Sequence, residues 1–361
     1  MRRAIDSIRR LRRRAERFTV QRAPRITFRF GEDPLPRQLA SRVAKAPNID
    51  LPLVLITQIQ RSGGTLLTQL FDGHPQVHTY PAELTNLKSM GGAQWFRGLV
   101  EERRPERFAD RWLFGTGNGF MKQSRGGGVE YEDIFISFEV YKKILNRNES
   151  WRRVATPRAR ADLFFTAFFG SWLDYAGLHD GTKEAVIAFS PRAMSEDRDI
   201  LAFFEHYPDG RIVFVVRSPW SWYASAKRHS PEYADVEKAV RLWVHQANLF
   251  LELRESYPDS IIFLKYEDLV TRPESTLELL MQRIGLDWSD SLLKPTFNGR
   301  PILSDSSFAP VKGRIDLGSV DRSNLLSAEE YEKVTDLAAQ LLQRLEEVVI
   351  SPRSPSDAPI G

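Results

Sequence analysis

Residues 60–65, QRSGGT, gather the donors of an anion site into six positions. Arg61 brings a permanently charged, forked guanidinium. Ser62 and Thr65 bring hydroxyls, and Gly63 and Gly64 let the backbone approach a ligand closely. Where such a stretch opens a helix, backbone N–H groups and the helix dipole favour a bound phosphate or sulfate. A second set lies further on: Arg217 and, eight residues later, Ser225. A strand-end arginine and a helix-borne serine could converge on one phosphate. Lys312, Gly313 and Arg314 form a third set, a basic run beside glycine that suits another phosphate contact. Glu83 is a carboxylate that could take a proton from an acceptor hydroxyl. Each set also has a plainer reading: a ligand-free glycine turn, a surface KGR, an exposed glutamate at a helix start. His74 and His78 lie near Glu83, and a His-Pro pair at a helix end reads as a structural cap.

These residues need elements to hold them. Leu53 to Ile56 is an apolar run that reads as a buried strand, and Leu66, Leu67, Leu70 and Phe71 recur at helical spacing. Strand, glycine turn and helix make the geometry of a phosphate cradle. The match to the nucleotide-triphosphate motif GxxxxGK[ST] is imperfect. Gln58 stands at its first glycine and Gly64 at its lysine, which argues against ordinary ATP or GTP hydrolysis. Val77 to Tyr80 reads as a second strand, and Pro81 then places Glu83 in a loop or new helix start. An α/β rhythm returns with strand 185–189, helix 200–206 and strand 211–217, RIVFVVR. That last strand ends in Arg217, where a nucleotide hydrolase would place a magnesium-binding Asp. Helices follow Pro219 and span 235–256, 273–284 and 327–349, the last with Ser327 as N-cap and Glu330 at N3. Strand 261–266 precedes Asp268, the only acid placed remotely like a magnesium ligand. Residues 88–182 read as mainly helical, over 132–146 and 159–177. They form either an insertion on the acceptor side or plain helical core. GTGNGF at 115–120 resembles a nucleotide loop but lacks the strand and helix around it, and Gly126–Gly128 form a further cluster.

The chain has 361 residues, 42% apolar and 27% charged, which is the composition of a soluble globular protein. No apolar run approaches the ~20 residues that span a bilayer. No apolar core of signal-peptide length follows the basic N-terminus. With no cysteine, disulfides, zinc–thiolate sites and cysteine nucleophiles are excluded, which fits a cytoplasmic setting. The net charge of +4 is a property of the tail: residues 1–25 hold ten arginines against Asp6 and Glu16. Nucleic acid is therefore not an expected partner of the folded part. Residues 1–22 could form a basic helix that makes weak contact with a membrane surface, or a solvated extension. The expected organisation is a basic N-terminal extension over 1–30, one α/β domain over 31–350 and a disordered tail over 351–361.

Four stretches taken together resemble the sulfotransferases that use 3′-phosphoadenosine 5′-phosphosulfate (PAPS). QRSGGTLL (60–67) with HPQV (74–77) resembles the family's 5′-phosphosulfate loop, whose usual core is R/K-S-G-T-T before a helix ending in HP. RIVFVVRSPWSWYASAKR (211–228) resembles the 3′-phosphate segment, with the same spacing of eight from Arg to Ser. LKYEDLVTRPESTLELLMQRIGLDW (264–288) is a familiar family stretch, and VKGR (311–314) is similar to a late basic loop. The resemblance implies a P-loop NTPase-like three-layer α/β sandwich with a central parallel sheet, transferring a sulfuryl group from PAPS to a hydroxyl with no metal. Arg61 would stabilise the leaving phosphate, and Ser62, Gly63, Gly64, Thr65 and Leu66 would hold the 5′-phosphate. Arg217 and Ser225 would hold the 3′-phosphate together with Lys312, Gly313 and Arg314, and Glu83 would be the base. Gly64 departs from the first family threonine, and Phe189 stands where many bacterial members carry the lysine of K-T-P. The acceptor is expected among carbohydrates or lipid-linked sugars. A nucleotide kinase or hydrolase and a non-catalytic PAPS-binding module remain the alternatives.

Overall fold

The computed structural model describes residues 28–31, 39–84, 134–146, 156–172, 174, 176–191, 197–302, 304, 308 and 311–352. The basic segment 1–22, the stretch 115–120 and Gly126–Gly128 lie outside these, as does the tail from 353. In chain order the principal elements are β1 (Phe28–Gly31), α1 (Leu39–Ala44), β2 (Leu53–Gln58), α2 (Gly64–Phe71), β3 (Val77–Glu83), β4 (Ile134–Ser137), α3 (Phe138–Leu145), α4 (Pro157–Ser171), β5 (Ala185–Phe189), α5 (Asp197–His206), β6 (Arg211–Val216), α6 (Pro219–His229), α7 (Val236–Ser256), β7 (Ile261–Lys265), α8 (Tyr266–Thr271), α9 (Pro273–Ile284), α10 (Ala328–Glu346) and β8 (Val349–Ile350).

The chain divides into two compact units. The larger holds residues 52–84, 182–297 and the described residues from 301 onward. Its core is a six-stranded sheet in the order β8-β7-β6-β2-β5-β3, with every neighbouring pair parallel. Parallel strands need crossover helices, and these cover both faces, so strand residues are apolar in unbroken runs. β2 is buried at every position. On one face Val54, Ile56, Ile187 and Val213 pack with Leu67, Leu70 and Phe71 of α2 and with Leu277 and Leu280 of α9. On the other, Phe214 of β6 stacks on Phe250 of α7 at 4.1 Å. The result is the three-layer α/β arrangement expected from the sequence. Each buried large apolar side chain is worth about 1.5–3 kcal/mol, against about 0.5–1.5 for a typical hydrogen bond. The sheet core therefore fixes where the polar groups of the edge can sit.

Because all the strands run one way, their carboxyl ends share one edge, the usual ligand edge of such sheets. Along it stand Arg217 after β6, the 59–63 turn after β2, Phe189 at the end of β5 and Glu83 at the end of β3. Two sequence expectations need correction here. Glu83 lies in the strand, not in a loop or helix start: β3 continues through Pro81, with an irregular register between Thr79 and Glu83. An edge strand tolerates a proline because its outer N–H side needs no partner, and β3 is the edge. The final helix ends at Glu346, and Val349–Ile350 pair with Phe263 and Leu264 as a short sixth strand.

The second unit comprises the described residues between 28 and 51 and between 134 and 181, with 298–300. β1 and β4 pair in parallel, Phe28 opposite Ile134. The helix expected over 132–146 is instead a strand followed by a helix, because IFIS supplies strand-forming residues and Ser137 accepts the Val140 N–H to start α3. The helix expected over 159–177 is α4, ending at Ser171, with Phe164, Phe165, Phe168 and Phe169 in mutual ring contact. Arg42 Nη2 donates to the Ser171 carbonyl at 3.2 Å, and the Ile49 N–H donates to Thr166 Oγ1 at 3.0 Å.

Candidate anion-binding active site

The cradle turn is held in an unusual backbone conformation. Arg61, a non-glycine residue, has φ 75°, and Gly63 has φ 101°. A left-handed residue with a side chain costs roughly 1–2 kcal/mol, so the surroundings must hold it. They do so from two sides. Trp222 Nε1 of α6 donates to the Gln60 carbonyl at 2.7 Å, and Tyr233 Oη donates to Gln60 Oε1 at 2.7 Å. Arg217 Nη1 donates to the Arg61 carbonyl at 3.3 Å. A Cβ on Gly63 would fall 2.2 Å from the Tyr266 ring, so glycine is required there by space as well as by φ. Gly63 is the N-cap of α2 and offers no side-chain cap. The first-turn N–H groups of α2 have no intrahelical acceptors. That of Gly64 is met by Gln58 Oε1 at 2.6 Å. Ser62 is fully buried, and its hydroxyl has no partner among the described residues.

The second half of the site is built on Arg217, which is 4% exposed. Its guanidinium lies 4.7 Å from the centre of the Tyr266 ring, and Nη2 donates to the Ser319 carbonyl. Tyr266 Oη in turn shares a hydrogen bond with Ser319 Oγ. Arg217 thereby ties the cradle to the late loop. Burial lowers its pKa below the ordinary arginine value, the positive charge of Arg61 lowers it further, and Tyr266, Glu267 and Asp321 act the other way. Arg322 has the same character. It is 7% exposed, its guanidinium stacks 3.7 Å from the Phe308 ring centre, and burial, then Arg217, then Arg61 hold its pKa down. Three arginines thus crowd one place. Crowded like charges need counter-charge nearby; Glu267, Asp321 and Asp316 supply part of it within the fold, and the cationic surface is a candidate place for an anion.

Ser225 is buried on α6, and its hydroxyl has no partner among the described residues. It lies one turn beyond Ser221 on the same helix face. Ser221 Oγ donates to Asp321 at 3.2 Å and accepts the Arg322 N–H at 3.0 Å. Arg228, three residues further, lies 4.3 Å from the Phe308 ring centre. This face of α6 therefore meets the loop that carries Arg322. Glu267, in the 264–288 stretch, accepts the Ser218 N–H at 3.0 Å at the start of α6. Burial raises its pKa, while that hydrogen bond and Arg217 pull it back. The YED motif so anchors the helix that bears Ser225.

Glu83 is half-buried and stands opposite Phe189 in register. The edge around it is stitched: Leu84 N–H donates to the Phe189 carbonyl at 2.6 Å, Ser190 Oγ donates to the Leu84 carbonyl, and Thr57 Oγ1 donates to the Ser190 carbonyl at 2.9 Å. From β2 to β3 is two strand spacings, roughly 10 Å, with Phe189 between. The histidines fall away from this place. His78 lies five residues before Glu83, about 16 Å along the strand. His74 precedes β3, where Nδ1 accepts the Gln76 N–H at 3.3 Å and Nε2 faces the Asp287 carbonyl at 3.1 Å. Burial lowers its pKa, so it sits there as a neutral structural group.

Lys312 and Arg314 are exposed, and Gly313 turns the chain at φ 63° with its N–H on the Ile302 carbonyl at 2.8 Å. The late-loop residue held beside Arg217 is Arg322, which sequence reasoning missed. Nothing in SVDR distinguishes it from a surface arginine until the loop is seen to fold back onto α6. Asp268 is engaged elsewhere: Arg272 pairs with it at 2.7 Å and Ser351 Oγ donates to it at 2.9 Å. Among the described residues no cluster of His, Asp and Glu is placed to hold a metal ion, and no helix is long and apolar enough to cross a membrane.

A glycine turn at the carboxyl edge of a parallel sheet, with buried arginines beside it, gives an α/β protein one candidate anion site on that edge. A sequence model described as Sulfotransferase family matches residues 52–290, well over half of the chain, and the chain belongs to that family. No curated protein matches it. Among solved structures it is similar to the sulfotransferase domain of the Synechococcus PCC 7002 olefin synthase (19% identity, 82% of this chain and 98% of that one, TM-score 0.47). It is also similar to the sulfotransferase domain from the curacin biosynthetic pathway (15%, 84% and 99%, TM-score 0.45). A third is sulfotransferase STF9 from Mycobacterium avium (12%, 93% and 90%, TM-score 0.41).

Proposed function

We propose that the protein is a PAPS-dependent sulfotransferase acting on a hydroxyl. The observation that carries this reading is the bond from Arg217 to the Arg61 carbonyl, which joins the cradle to a second cationic pocket. Two linked anion sites suit a donor phosphorylated at both ends of its ribose. The unpartnered hydroxyls fit that donor: Ser62 on the 5′ side and Ser225 on the 3′ side. When bound, PAPS supplies a sulfuryl group on a 5′-phosphate that leaves.

Arg61, Ser62, Thr65 and the N–H groups at the start of α2 bind the 5′ side and offset the charge that grows on the bridging oxygen. Arg217, Arg322 and Ser225 bind the 3′-phosphate and fix the donor's register. Glu83 holds the proton of the acceptor hydroxyl, two strands away from the cradle, so that the oxygen attacks from the side opposite the leaving phosphate. The acceptor class is a hydroxyl-bearing molecule, with carbohydrates and lipid-linked sugars the first to try, and the setting is cytoplasmic. Against a kinase or hydrolase stand the missing loop lysine and the pairing of Asp268 with Arg272.

Incubating the protein with sulfur-labelled PAPS and extract tests this. Label should pass to an acceptor, and Glu83→Gln should slow transfer roughly 10²–10⁴-fold while leaving binding of 3′-phosphoadenosine 5′-phosphate (PAP) intact. Transfer at the normal rate by that variant would remove Glu83 from the mechanism.

A further inference from the structure

Gln58 is the last residue of β2 and only 7% exposed. It stands where nucleotide-triphosphate loops begin with glycine. Its carboxamide oxygen accepts the Gly64 N–H at 2.6 Å. A backbone N–H can only donate, so this bond fixes which end of the carboxamide is oxygen. The position of the NH2 group follows, beside the first turn of α2. Among the described residues no acceptor is bonded to it. The residue is buried, yet this donor is left open to a ligand.

Two further facts point to the same partner. A Cβ at position 64 would fall 2.4 Å from the Phe189 ring and 3.1 Å from Gln58 Oε1, so no hydroxyl-bearing side chain fits there. The neighbouring Ser62 hydroxyl, also buried, is likewise unpartnered among the described residues. Gly64, Phe189 and Gln58 thus form one unit: the ring fills the space above the glycine, and the glutamine covers its N–H. A neutral donor also suits a place already crowded with arginines.

We infer that the Gln58 NH2 group is a further binding residue of the cradle, donating to the anion on its 5′ side in place of a hydroxyl at position 64. The assignment rests on the cradle being the phosphosulfate site of the donor. Gln58→Glu is the test, because it keeps an oxygen for the Gly64 N–H and exchanges only the donor for a second oxygen. PAP affinity is measured by calorimetry for both proteins from pH 8 downward, with circular dichroism confirming that the variant is folded.

At pH 8 the variant should bind PAP at least ~10-fold more weakly, the scale of one hydrogen bond to a charged group. The ratio to wild type should close as the introduced carboxylate takes up a proton and regains a donor. Gln58→Ala, which loses the donor without adding charge, should be weakened at every pH with no recovery. Equal affinity of wild type and Gln58→Glu throughout overturns the assignment, as does a loss in Gln58→Glu that ignores pH. Wild-type protein that binds no PAP at all overturns the donor reading itself, and is recognised without any variant.

Discussion

At the scale of single residues, the two departures from the family pattern explain each other. Gly64 and Phe189 lie 125 positions apart in the chain, yet the ring occupies the space that a side chain at 64 would need. Gly64→Ala should therefore cost about 1–3 kcal/mol, the usual penalty of forcing a group into a packed core. Phe189→Ala should be destabilising by itself, by roughly 3–5 kcal/mol. The double variant should be clearly more stable than the sum of the two, since removing the ring makes room for the methyl. Chemical denaturation of the four proteins measures this, and strictly additive effects would show that the two residues are independent. The sequence displayed both departures but gave no sign that they touch, because contact across a sheet edge is not written in spacing. Arg322 was hidden for the same reason. Glu83 was legible as a candidate base from its type and its place after the loop, although its backbone setting was not, because an edge strand absorbs the proline that seemed to end it.

At the scale of elements, the long periodic segments were the readable ones. Helix 273–284 and the capped start of α10 fall where the pattern puts them, with Ser327 and Glu330 forming a reciprocal capping box. Both rest on local rules that need no tertiary partner. The short strands β1, β4 and β8 were not readable, since each exists only by pairing with another. The 264–288 stretch was recognised without a role, and its role is structural: Glu267 caps α6, and Tyr266 packs under Arg217. The raised pKa of Glu267 means that the folded protein holds this proton more tightly than the unfolded chain does. Its contribution to stability is then full at acid pH, below the ordinary glutamate range, and is lost as pH rises through the raised folded value. Glu267→Gln keeps an oxygen for the Ser218 N–H and removes the titration. Its thermal midpoint relative to wild type should accordingly climb as pH rises through that window. A difference that stays flat or falls with pH would contradict the assignment.

At the scale of the whole molecule, the order of groups along one sheet edge carries the functional account: a cationic pocket, the cradle, an aromatic wall and a carboxylate. Parallel strands alone put them in that order, which is why the alternating α/β rhythm in the sequence was enough to predict a shared edge but not the spacing along it. The central claim is that the Arg217 pocket receives a 3′-phosphate while the cradle receives the 5′ side. Its most direct test is calorimetric binding of PAP and of 5′-AMP, which lacks only the 3′-phosphate, to wild type, Arg217→Lys and Arg217→Ala, with ATP and magnesium as the comparison. Wild type should prefer PAP over both other ligands. Loss of the fork in Arg217→Lys, and of the charge in Arg217→Ala, should weaken PAP progressively, by roughly 10–100-fold for the alanine variant, while 5′-AMP, which feels only the lost bond to the Arg61 carbonyl, weakens by clearly less. Equal losses for PAP and 5′-AMP, or tighter binding of ATP with magnesium by the wild type, would contradict the account.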